Sequence, residues 1–209
     1  MMTPMKTLAV AALVLGLASC KCPNPAAKAV MAPMAYKLDA AHSQLSAVAM
    51  KNEVKPVALK FPDLEGGLEA KPFKAMLSAR LDTLDTGDKG RDANVRNFFF
   101  EVAKSGNDRA AIEVSEIGAD LDGLKDGASM ATTAKGKLSM HGASLEISGP
   151  LQISRKGSTL SASFKDAWVI NIKQMGMLDA LANLNKNCPQ PHRVGLDVKL
   201  SGELVFQKL

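Results

Sequence analysis

Aromatic side chains are scarce in this chain: 4% of 209 residues, with one Trp and one Tyr beside seven Phe. Histidine is as sparse. His42, His141 and His192 stand far apart, which excludes a local pair of metal ligands, and no C-x-x-C or H-x-x-H spacing supports a zinc site. No G-x-S-x-G elbow, P-loop or G-x-G-x-x-G occurs, so nothing points to a hydrolase nucleophile, a phosphate cradle or a dinucleotide cofactor. The acids Asp82, Asp85, Asp88 and Asp92 crowd one loop, but they lack the alternating ligands and closing Glu of a calcium loop. They read as solvated loop charges. Long hydrophobic runs are missing too. The one candidate, Leu8 to Leu17, is too short to span a bilayer.

That run has a different meaning. It follows Lys6 and ends in Leu17-Ala18-Ser19-Cys20, which resembles a bacterial lipobox, cut before the cysteine whose thiol then carries lipid. An ordinary signal peptide with a coincidental Cys20 is the alternative. The lipobox reading assigns 1–19 to a signal peptide and 20–35 to the lipidated Cys20 with a Pro/Ala-rich tether, leaving 36–209 as one domain. It places the protein in the bacterial envelope, membrane-anchored through Cys20 and facing the periplasm. Lys21 after the cysteine favours the outer membrane. The two other cysteines, Cys22 and Cys188, either bridge tether to domain or stay free thiols. A net charge of +5 decides little, and a secretion signal argues against nucleic acid as partner.

From Tyr36 onward the hydrophobic period is two. Val194, Leu196, Val198, Leu200, Leu204 and Phe206 alternate with polar or small residues; so do Leu145, Ile147, Leu151 and Ile153, and Phe73, Ala75, Leu77, Ala79 and Leu81. Further runs lie near 43–52, 57–61, 109–117, 130–140 and 159–172. Gly66-Gly67, Asp126-Gly127 and Lys156-Gly157 are read as turns. About eight or nine one-faced strands make an antiparallel sheet. Only the Phe98–Phe100 segment and "MGMLDALANLNKN", with Met177, Leu178, Leu181 and Leu184, favour helix. Two short helices cannot cover so large a sheet, so it must close on itself. The expected fold is an all-β, closed, eight-stranded antiparallel barrel with one or two short helices.

The scarcity of large side chains now has a use. Ala47, Ala49, Ala75, Ala79, Ala162, Gly149 and Gly202 fall on the expected inner face. Packed interiors tolerate little void, so such an interior predicts a hollow bore for an apolar guest. The alternative is a bore filled by Leu, Met and Phe from the loops. Asp166 sits in register with Phe164 and Trp168, where a carboxylate is costly unless it marks a polar end or a bulge turns it outward. In "DTGDKGRDANVRNFFFEV", Asp92 reads as the N-cap of a short helix that puts Val95, Phe98 and Phe99 on one face. Those phenylalanines would close one end of the bore.

The order of these features resembles the YceI-like family. "YKLDAAHSQLSAVAM" is similar to that family's opening strand, "LDTLDTGDKGRDANVRNFF" to its most recognisable motif, and "GKLSMHGASLEISGPLQI" and "WVINIKQMGM" to its later strands. Ser144 and Lys51 stand where the family usually has a basic residue and a His. The resemblance implies a lipocalin-like barrel that holds long isoprenoid or other amphiphilic chains and has no accepted catalytic residues. The resulting expectation is a binding protein without cofactor or turnover. Its bore would be lined by Leu45, Ala47, Ala49, Leu77, Ala79, Phe98, Phe99, Leu151, Phe164 and Phe206, with Arg91 and Arg96 at the head group. A structural or interaction lipoprotein with a filled barrel is the rival, and an enzyme acting on bound lipid is a third, weaker reading.

Overall fold

The computed structural model describes residues 34–104, 106–164, 166–188 and 193–209. Cys20, Cys22, the signal segment and most of the tether lie outside these residues, so the lipidation and the Cys22–Cys188 pairing do too. Eleven strand segments form one antiparallel sheet: β1 (Tyr36–Leu38), β2 (Gln44–Lys51), β3 (Lys55–Lys60), β4 (Leu64–Ala70), β5 (Phe73–Arg80), β6 (Arg109–Ile117), β7 (Ser129–Met140), β8 (Ala143–Lys156), β9 (Thr159–Phe164), β10 (Trp168–Asn171) and β11 (Val194–Lys208). Two helices, α1 (Lys89–Asn94) and α2 (Leu178–Asn187), complete it.

The eleven segments are eight barrel strands, because three of those strands are broken. Along β11, the C-terminal part pairs with β1 and β9, and the N-terminal part with β2 and β10. Thus β1 and β2 are one strand interrupted by the tight turn Ala40–His42. In the same way β9 continues into β10, and β3 into β4, since β2 pairs β3 and β1 pairs β4. The ring runs onward through β4–β5, β5–β6, β6–β7, β7–β8 and β8–β9 and closes at β11. Closure leaves no long free edge, which is how a one-faced sheet of this size hides its apolar side.

The expected eight-stranded barrel is the observed one, and most strand positions match the period-two runs. Four local expectations do not hold. Gly66-Gly67 is not a turn but the middle of β4. A Cβ on Gly66 would lie 2.6 Å from the Met76 carbonyl oxygen, and one on Gly67 2.7 Å from that of Tyr36, so the pair lets neighbouring backbone press close. Leu196 is exposed, because the pairing with β2 shifts register between Val194 and Val198; both valines stay inward and Leu196 turns out. Leu178 is exposed as well, and Ala180 takes the buried place beside Leu181 and Leu184. The last departure concerns Asp92. It is not the N-cap of α1; Asp88 is, its carboxylate accepting the Arg91 amide at 3.0 Å.

Asp166 is exposed in the break between β9 and β10, so it faces outward and its carboxylate stays in water. The barrel is shut at the end away from the helices. There the inward phase of β8 ends in Arg155, whose guanidinium donates to the Leu121 carbonyl at 2.8 Å and the Tyr36 hydroxyl at 3.3 Å. Leu121 and Leu124 are buried behind it.

Candidate binding cavity

The helical end closes over the barrel by means of one irregular turn. After α1 the chain makes a π-helical turn, Val95–Phe99, in which the Phe100 amide donates to the Val95 carbonyl. A wider turn shifts the inward-facing positions by one residue. Val95, Phe99 and Phe100 are therefore buried, while Phe98, expected inward from 3.6-residue spacing, is only half-buried. The Phe99 and Phe100 rings meet edge to face at 5.0 Å. Asn183 of α2 donates to the Phe98 carbonyl at 2.9 Å, joining the two helices into one cap. Asp92, buried, accepts from the Thr86 hydroxyl at 2.6 Å and the Thr86 amide at 2.8 Å, folding the charged loop onto α1. Arg96 donates to the carbonyls of Asp92 and Asp82, pinning the cap to the end of β5.

Under this cap lies a cavity of about 430 Å³, within the usual range for small-molecule sites. Its wall is apolar at every strand that reaches it. Leu45, Ala47 and Ala49 come from β2, Leu77 and Ala79 from β5, Ala110 and Ile112 from β6, Leu138 and Met140 from β7, and Val198 and Leu200 from β11. Val95, Phe99, Phe100, Leu181 and Leu184 form its roof. The alanines make the volume: larger side chains at 47, 49, 79 and 110 would occupy it. Polar lining is confined to one rim, where the end of β2 (Lys51), the α1 region (Thr86, Asp88, Arg91, Asn94) and Cys188 converge. Burial pushes the Cys188 thiol up, against a smaller opposing pull from Lys51. It stays a protonated, nearly apolar wall group at neutral pH.

The structure separates the predicted residues into three groups. Leu45, Ala47, Ala49, Leu77, Ala79 and Phe99 line the cavity, and Arg91 stands at its rim with long contacts to Asp88 (3.5 Å) and the Thr86 carbonyl (3.4 Å). Leu151, Phe164 and Phe206 instead surround a second, smaller void of about 50 Å³ deeper in the barrel. Phe98 and Arg96 belong to the cap's own framework. Sequence reading missed the roof residues Leu181 and Leu184 as lining, although their helical spacing was visible, and missed Lys51 and Phe100. Among the described residues no group of three His, Cys, Asp or Glu side chains is placed to hold a metal ion.

A polar latch ties the cap to the β7–β8 hairpin. Glu101 (φ 48°) and His141 (φ 54°) both occupy the left-handed region that non-glycine residues rarely adopt, and their side chains meet at 2.9 Å. A hydrogen bond from Lys104 is the main reason that the Glu101 carboxyl lies below its usual 4.5; partial burial opposes this and His141 adds to it. A lowered carboxyl value adds stability that is complete above the ordinary value and fades as pH falls through the folded one. Urea melts from about pH 6 to about pH 3 should therefore lose more stability in the wild type than in Glu101→Gln. Equal losses would remove Glu101 from the account.

Solved structures with the same chain path exist. A polyisoprenoid binding domain from Saccharophagus degradans, implicated in plant cell wall breakdown, superposes with a TM-score of 0.74 at 22% identity, over 85% of this chain and 100% of that one. BcnA of Burkholderia cenocepacia superposes at 0.63 with 19% identity, over 80% of this chain and 98% of its own. At these identities the likeness is one of fold. No curated protein matches the chain. The YceI-like domain, as a family model, matches residues 36–206, from β1 to nearly the end of β11; with the whole ring inside that match, the protein belongs to the YceI-like family.

Proposed function

We propose that this protein binds the hydrocarbon chain of an isoprenoid-like or fatty amphiphile in the barrel, carries it without chemical turnover, and works from a lipid anchor at Cys20 on the periplasmic face of the envelope. The observation that carries the reading is the apolar cavity of about 430 Å³ with its polar groups gathered on one rim. A barrel packed solid would suit a structural module; an apolar space with one wet rim suits a guest with a chain and a head. Chain burial supplies affinity, at roughly 0.8 kcal/mol per methylene. Lys51 and Arg91 are the cations of the rim and orient an anionic head.

Titration with a fluorescent prenyl analogue tests the binding. Saturable uptake, displaced by unlabelled amphiphile, is expected; failure of any chain to bind removes the proposal. Arg91→Ala should weaken a carboxylate- or phosphate-headed chain roughly tenfold, the scale of one charge-assisted hydrogen bond, and leave the matching alcohol nearly unchanged. The anchor is tested separately. Cys20→Ser should move the protein from the membrane fraction to the soluble one, and persistence in the membrane would remove the lipid anchor.

A further inference from the structure

The cavity does not run the full length of the barrel. Ile170 and Leu200 line it, but Trp168, the next inward residue of β10, borders only the smaller void below. Leu77 and Ile112 border both spaces, so the two are stacked along one bore. Two rings border that lower void: Trp168, 3% exposed, packs edge to face on Phe164 at 5.0 Å. The indole has a prepared seat. Its Nε1–H donates to the Pro150 carbonyl at 3.3 Å, and a Cβ on Gly149 would fall 2.1 Å from Nε1, so only glycine at 149 lets the ring lie there.

We propose that Trp168, the next inward residue below the cavity on β10, forms its floor together with Leu77 and Ile112, which border both spaces, and sets the longest chain the protein encloses. The inference rests on the chain-binding reading above and specifies its ligand class. At roughly 30 Å³ per water-sized group, about 430 Å³ holds on the order of fifteen carbons. Longer chains must leave their excess outside the rim. Below the floor, Ala75, Ala162 and Leu204 already surround vacant space, so a smaller residue at 168 would join the two voids into one deeper bore.

The chain's single Trp makes the floor directly observable. Chains with bromine on the terminal carbon should quench Trp168 emission strongly once they are long enough to reach it, whereas bromine beside the head should quench weakly. Across a series of saturated fatty acids, wild-type affinity should rise by about fourfold per methylene and then level off. Trp168→Ala should keep rising for several further carbons. Equal quenching from both bromine positions, or the same plateau in Trp168→Ala, would overturn the floor while leaving chain binding intact. Absence of binding by every chain to the wild type would instead overturn the cavity reading, and the floor with it. The quenching arm uses the unsubstituted protein and decides the matter even if Trp168→Ala fails to fold.

Discussion

Ala79→Trp should abolish uptake of a prenyl analogue while leaving the barrel folded. Ala79 is 4% exposed on β5, opposite Leu64 on one side and Ala110 on the other, and its methyl faces the cavity. An indole placed there enters vacant volume and takes the space that a chain would use. Affinity should fall by about a hundredfold or more, the equivalent of losing three or four buried methylenes. The stability change should stay within about 1 kcal/mol, because overpacking costs arise only where atoms already fill the site. Circular dichroism melts and titrations on the same sample separate the two effects. A folded variant that still binds normally would show that ligands do not use this bore. A variant that unfolds would show that the bore is full.

Asp92→Ala should produce the largest loss of stability among changes to the charged loop. Its carboxylate is buried, and the Thr86 amide and hydroxyl both donate to it. Removing it strands two donors at once, at a cost of about 2–4 kcal/mol. For a domain of this size that lowers the melting temperature by roughly 5–15 °C. Asp92→Asn keeps an acceptor oxygen and should recover most of the loss. Because Thr86, Asp88 and Arg91 all reach the rim of the cavity, the alanine variant should also bind chains more weakly. A melt unchanged from the wild type would mean that the loop contributes nothing to the cap.

The barrel was legible because its signal is long and repeated. Strands such as β7 and β8 alternate over twelve and fourteen residues, and period two is the mark of a strand with one face inward. The hollow was legible for a related reason: Ala47, Ala49 and Ala79 stand at inward positions where a filled core would carry larger side chains. What escaped notice depends on local exceptions to the period. One register shift turns Leu196 outward, and one wide turn exchanges Phe98 for Phe100. Neither leaves a mark in composition. The depth of the bore escaped for a different reason. Phe164, Leu151 and Phe206 do face inward, but they border the smaller void below the cavity and not the cavity itself. Alternation says which side of the sheet a residue faces and nothing about its height in the barrel. Asp92 and Asp88 show the same limit, since both are good capping residues and only tertiary contacts with Thr86 decide which one is buried.

The most direct measurement is native mass spectrometry of the protein purified from a bacterial host without detergent. The account predicts one bound amphiphile per protein, released on denaturation and missing from Ala79→Trp. Bare protein mass in both, together with no uptake of an added prenyl analogue, would contradict it.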